Sequence, residues 1–109
     1  MRVLVFNVKG QTIQPNSLSE ISGLVAGTSG YIKAKFLFSE DWNGCAKVAG
    51  FFLKDNTEFP PCVLDNDNSC FIPEEILKYH EFSIKVYGKK NGYVITTRPI
   101  NIKQYGGIQ

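Results

Sequence analysis

The sequence predicts an all-β fold, an antiparallel β-sandwich of about seven strands with one short helical turn. Three observations carry this. Apolar side chains recur with a period of two, best seen in Tyr31–Phe38, where Ile32, Ala34, Phe36 and Phe38 share one face and Lys33 and Lys35 the other. Residues that tolerate positive φ or cap their own turn stand between such runs, at Asn43-Gly44, Asp55-Asn56, Asp65–Asn68 and Gly88–Gly92. No segment offers the long crossover helix that would alternate with strands in an α/β fold. A β-barrel is the alternative way to close the same strands.

The elements follow in order. Arg2–Val8 reads as the first strand. Gln11–Gly30 is rich in Ser, Gly, Thr, Asn and Gln and reads as a long connection with room for one strand; Leu18, Ile21 and Val25 fall at helical spacing, but Gly23, Gly27 and Gly30 keep any helix short. Tyr31–Phe38, Cys45–Leu53, Glu58–Leu64, Ser69–Ile72, Phe82–Tyr87 and Tyr93–Lys103 supply the remaining strands, and the turns between them predict that consecutive strands pair as hairpins. Pro60-Pro61 and Pro99 donate no ladder hydrogen bond, so their strands belong at edges or are kinked. In Pro73–Lys78 proline leads, Glu74 and Glu75 follow, and Lys78 closes, the charge order of one or two helical turns. Gly106-Gly107 opens a mobile tail. The expected core is Ile32, Phe36, Phe38, Val48, Phe82, Ile84 and Val86.

A chain of 109 residues is one domain against a typical ~150 per domain. Its parts are Met1–Gly30 as strand plus connection, residues 31–105 as the sandwich and 106–109 as a flexible tail. Eight Phe, five Tyr and one Trp furnish a core that needs neither disulfide nor metal. Twelve Lys and Arg against ten Asp and Glu give a net charge of +2, spread along the chain, which argues against nucleic acid as a partner. The sequence predicts no membrane insertion and no cleaved leader, because every apolar run is too short and the Met1–Phe6 start is interrupted by Asn7 and Lys9. Cys45, Cys62 and Cys70 form no CxxC pair and suit a reducing cytosol, with a Cys62–Cys70 bridge across a hairpin left open.

Catalytic and metal constellations find little to build on, and no cofactor is expected. His80 is the single histidine and reads as a surface residue; no GxSxG elbow accompanies it. Asp65-Asn66-Asp67-Asn68-Ser69 imitates the start of a calcium loop, yet Cys70 stands where glycine is needed and Ile76 where the bidentate glutamate is needed. The isolated cysteines read as core filler, Gly27 and Gly30 precede a strand and cradle no phosphate, and Glu40-Asp41 and Glu74-Glu75 read as solvated turns. Trp42, between Asp41 and Asn43-Gly44, either folds back over the end of the sandwich or projects as a stacking surface, and packing is the favoured role.

Phe36–Gly44 with Lys47-Val48-Ala49 and Phe51, then Val63–Leu77, Phe82–Gly88 and Ile95-Thr96-Thr97, resemble the small immunoglobulin-like domain of virion proteins from phages and prophages of Gram-positive bacteria, including the N-terminal domain of siphophage baseplate upper proteins. The resemblance covers about two thirds of the chain, from Phe36 onward. It implies an immunoglobulin-like sandwich and a non-enzymatic virion structural protein in the tail, the baseplate or the head surface. Such a protein is synthesised in the bacterial cytoplasm and assembles with other virion proteins, or with copies of itself on the particle. No coiled coil or fibre region follows Lys103, which points to a small decoration or adaptor protein rather than a fibre. Isolated copies should then be monomers or small oligomers. Alternative readings are a carbohydrate-binding module for a host glycan and a small inhibitor of a host protein. Candidate interface residues are Trp42, Asp41, Tyr87, Tyr93 and Tyr105.

Overall fold

A computed structural model describes residues 1–109 except Leu18 and Glu20. The chain is mostly β, folded as two sheets packed face to face, and the described residues contain no α-helix. The first sheet has the order β2-β1-β3-β6, formed by β1 (Arg2–Lys9), β2 (Thr12–Pro15), β3 (Ile32–Phe38) and β6 (Ser69–Phe71). The second has the order β5-β4-β7-β8, from β4 (Ala46–Phe52), β5 (Glu58–Val63), β7 (Glu81–Lys90) and β8 (Tyr93–Thr96), with β9 (Ile100–Lys103) also on β7. The Ile76–Lys78 turn is a single 3-10 turn.

Three features depart from the sequence-based expectation. The sandwich is not wholly antiparallel: β1 and β3 run parallel, with Leu4 beside Ala34 and Phe6 beside Phe36. A parallel pair needs a long crossover, and residues 10–31 supply it. Hairpins join β1 to β2, β4 to β5 and β7 to β8, whereas β3 to β4 and β5 to β6 cross between sheets. Finally, the expected strand over Tyr93–Lys103 is two strands on one edge of β7. β8 lies beside Tyr87–Lys90 and β9 beside Glu81–Ile84. At the break, Val86 N–H donates to Thr97 Oγ1 (3.1 Å) and Thr97 N–H to the Val86 carbonyl (3.1 Å), so one threonine satisfies the ladder position that the kink leaves open.

The core lies between the sheets. Leu4, Phe6, Val8, Ile32, Ala34 and Phe36 from the first meet Ala49, Phe51, Phe82, Ile84 and Val86 from the second, all buried. Phe6 and Phe36 stack at 5.5 Å between ring centroids. Two residues expected in this core are not fully inside. Val48 is half-buried on the outer face, because Ala49 and Phe51 pair with Val86 and Ile84 and take the inward phase of β4. Phe38 is half-buried at the strand end, packed on Trp42.

The connection after β2 also departs from expectation. Of the helical face expected there, Leu18 lies outside the described residues, and Ile21 and Val25 belong to no helix. Instead Leu24 is buried and Val25 forms an isolated parallel bridge with Tyr105. The segment expected as a tail is hydrogen-bonded: Ala26 N–H donates to the Tyr105 carbonyl, Tyr105 N–H to Leu24, His80 N–H to Ile108 and Ile108 N–H to Lys78. Gln104, buried at 3% exposure, donates its amide to the carbonyls of Leu77 (3.0 Å) and Tyr79 (2.8 Å). Residues 104–108 thus lie between 24–27 and 77–80. Gly107 sits at φ +91° where a Cβ would come within 2.8 Å of both Ala26 Cβ and His80 N, so no other residue fits.

Candidate functional site

The corner that follows β3 is built around Trp42. Ser39 ends the strand by donating its N–H to the Val8 carbonyl, and Glu40–Trp42 make a 3-10 turn that drops the indole into the end of the sandwich. Trp42 is 0% exposed; its ring packs 5.0 Å from Phe38, and Nε1 donates to the Gly10 carbonyl at 2.9 Å. The opposite wall is Gly88, where a Cβ would stand 2.7 Å from two indole carbons. The indole is therefore packing and offers no face to a ligand.

Asp41 and Tyr93 meet at the same corner. The Tyr93 hydroxyl donates to the Asp41 carbonyl (2.9 Å), and Lys90 Nζ lies 4.6 Å from the Tyr93 ring centre while donating to the Asn43 carbonyl (3.0 Å). One aromatic face is thus covered by a cation, and the pair braces the β7–β8 hairpin against the Trp42 turn. The carboxylate of Asp41 remains at the surface.

Tyr87 belongs to the outer face of the second sheet. Strand register sets Val63, Val48, Tyr87 and Thr96 side by side across β5, β4, β7 and β8, with Val94 on the neighbouring row beside Lys89. Two of these are strongly exposed, Val63 at 78% and Val94 at 70%. Beneath them Gly50 makes room: a Cβ there would come within 2.8 Å of the Tyr87 ring and 3.2 Å of the Phe52 ring. Both aromatics therefore lean over one glycine, and Lys85 Nζ sits 5.1 Å from the centre of Phe52. A groove of about 390 Å³ continues from Phe52 past Glu58, Ser83, Lys85 and Asn101.

Tyr105, 70% exposed, is far from this face and from the Trp42 corner. Tyr93 pairs with Lys90 and Lys103 pairs with Glu81, so Tyr93 and Tyr105 mark opposite ends of β7, about 30 Å apart at ~3.4 Å per residue. The five candidate residues therefore divide among three places, with only Asp41, Trp42 and Tyr93 together. At the Tyr105 end a groove of about 500 Å³ is lined by Leu53, Asp55, Tyr79, His80 and Ile108. His80 Nδ1 lies 3.1 Å from the Gly106 carbonyl, which can only accept.

The remaining charged motifs have structural partners. Asp65 Oδ1 accepts from the N–H groups of Asp67 (2.9 Å) and Ser69 (3.0 Å), which closes the turn that imitated a calcium loop. Glu74 accepts from Ser29 Oγ at 2.8 Å. Among the described residues no group of three or more His, Cys, Asp or Glu is placed to hold a metal ion. Sequence reasoning passed over Val63, Val94 and Phe52, whose common surface emerges only from cross-strand register. No family model matches the chain, and no curated protein matches it.

Proposed function

We propose that the chain is a non-enzymatic structural protein of a bacteriophage virion, a tail, baseplate or head-surface component that works through protein–protein contacts. The observation that carries the assembly part of this reading is the outer face of the second sheet. Val63 and Val94 expose most of their side chains on either side of Val48 and Tyr87, on strands whose register fixes them in one surface. Strongly exposed valines on one face of a rigid sheet are the kind of surface that another protein covers. The virion part rests on the motif resemblance from Phe36 onward, and the immunoglobulin-like topology stands on the same ground.

Mass spectrometry and immunogold labelling of particles purified from the cells that encode the chain test the reading directly. The protein should be present at a fixed stoichiometry. The double variant Val63→Lys, Val94→Lys should keep its melting temperature and lose incorporation. A protein that stays in the particle-free fraction would refute the assignment.

A carbohydrate-binding role has one observation in its favour. Tyr87 and Phe52 lean over Gly50 beside a groove lined by Glu58, Ser83, Lys85 and Asn101, which pairs apolar ring surface with hydrogen-bonding groups. A glycan array separates the two readings, since a module of this kind should retain a defined oligosaccharide and lose it on Tyr87→Ala.

A further inference from the structure

Strands β5 and β6 are consecutive in the chain and lie in different sheets, so residues 64–68 turn the corner between the layers. Cys62 on β5 pairs with Ala49, and Cys70 on β6 pairs with Ala34. Both alanines are completely buried, and directly opposed residues point to the same face of a sheet. Each sulfur therefore faces the space between the sheets. They approach each other there: Cys62 Sγ reaches across to β6, 4.0 Å from the carbonyl of Phe71, the residue that follows Cys70, and each thiol shifts the ionisation of the other. Cys62 is half-buried and Cys70 is buried, and both are free thiols. The third cysteine, Cys45, follows the Trp42 turn, its N–H bonded to the Trp42 carbonyl, and has no part in this contact.

We propose that Cys62 and Cys70 form a redox latch, a dithiol that closes to a disulfide joining the two sheets when the chain meets a small-molecule disulfide such as oxidised glutathione. The Cys62 thiolate, on the more accessible sulfur, attacks one sulfur of the oxidant. A mixed disulfide forms and one glutathione thiolate leaves. Cys70 then gives up its proton and attacks the Cys62 sulfur, so the protein S–S bond forms as the mixed disulfide breaks and the second glutathione departs. The dithiol loses two electrons and two protons, and oxidised glutathione becomes two molecules of the reduced tripeptide. Burial raises both thiols, Cys70 to about 12, so thiolate is scarce at neutral pH and closure is slow. The latch thus answers a lasting change of surroundings rather than a brief pulse.

Its position gives it a purpose. β5 is the outer strand of its sheet, held through β4 alone, and Pro60 and Pro61 remove two of its donors. A disulfide closing nine residues, 62 through 70, would pin this strand to the opposite sheet and raise the melting temperature by on the order of 10 °C.

The test uses the full chain, reduced under nitrogen and then incubated with oxidised glutathione. Intact mass should fall by two hydrogens. Peptide mapping should join Cys62 to Cys70, the melting temperature should rise, and dithiothreitol should reverse all three changes. Cys45→Ser should leave the response intact, whereas Cys62→Ser and Cys70→Ala should each abolish it, with native circular dichroism showing that the variants are folded. Stable glutathionylation without ring closure, a bridge to Cys45, a purely intermolecular disulfide, or closure that leaves the melting temperature unchanged or lower would each overturn the proposal.

Discussion

Gly88 and Trp42 occupy one space between them. The indole carbons Cε3 and Cζ3 lie where a Cβ on residue 88 would sit, with Ile95 3.1 Å away on the third side. Gly88→Ala must therefore push a fully buried indole that is also tied to Gly10, and overpacking of this kind costs about 1–3 kcal/mol. Urea unfolding should show that loss, together with a red shift of tryptophan emission. Asp65 behaves differently, being at the surface. The Ser69 N–H foremost, then the Asp67 N–H and the charges of Lys33 and Lys35, hold its carboxyl below the ordinary value of 3.8. A carboxyl lowered by folding adds stability above its unfolded pKa and loses it as pH falls through the folded one. Melting temperature should thus decline as pH drops below about 4, and Asp65→Asn, which keeps the Oδ1 acceptor, should flatten that decline. An identical acid limb in the variant would show that the turn holds no charge-dependent stability.

Among the elements, β4 shows where alternation stops being informative. Val48, Ala49, Gly50, Phe51 and Phe52 are all apolar or small, so either phase reads as a buried face; the partner strand decides, and Val86 and Ile84 call Ala49 and Phe51 inward. Phe51→Ala should then cost about 3–5 kcal/mol, as should Phe36→Ala and Phe82→Ala. Val48→Ala, which trims a half-buried side chain, should cost about 1 kcal/mol. Equal losses at 48 and 51 in chemical denaturation would contradict the phase. Strand β3 was legible because lysines alternate with its apolar residues. In β2, Thr12–Pro15 carries one apolar side chain, Ile13, within a polar stretch and gives little periodic signal. In the Tyr93–Lys103 run Pro99 signals an edge or a kink, but the division into two strands is made by Thr97 folding back onto Val86, a contact between residues 11 apart in sequence.

For the molecule as a whole, β1 is a central strand, flanked by β2 and β3, with Leu4, Phe6 and Val8 fully buried. Deleting Met1–Gly30 removes that strand and uncovers Phe36 and Ala34, so the remainder should fail to fold, as judged by loss of near-UV circular dichroism and of a cooperative melt. The local pattern reads Arg2–Val8 as a strand but contains nothing that says which way its neighbour runs, because direction is set by a connection of twenty-odd residues rather than by the strand. The same limit applies to the surface. Tyr87, Tyr93 and Tyr105 look equivalent as aromatics between turns, and only the fold separates a sheet face, a braced hairpin and a chain end.

The parallel pairing of β1 with β3 also bears on how quickly the fold is reached. Phe6 meets Phe36 thirty residues along the chain, and Val48 meets Tyr87 thirty-nine residues along, so few native contacts reward the chain before long loops are closed. Barriers dominated by such distant pairings place refolding in the millisecond-to-second range rather than in microseconds. The β1–β2, β4–β5 and β7–β8 hairpins are the local exceptions, and the first of them, with Val8 opposite Ile13, can form early. Stopped-flow refolding should show Ile13→Ala slowing folding in proportion to its destabilisation if that hairpin belongs to the nucleus. On a ribosome β1 would emerge before β3 and wait, its buried face uncovered, until Ile32–Phe38 had followed it out.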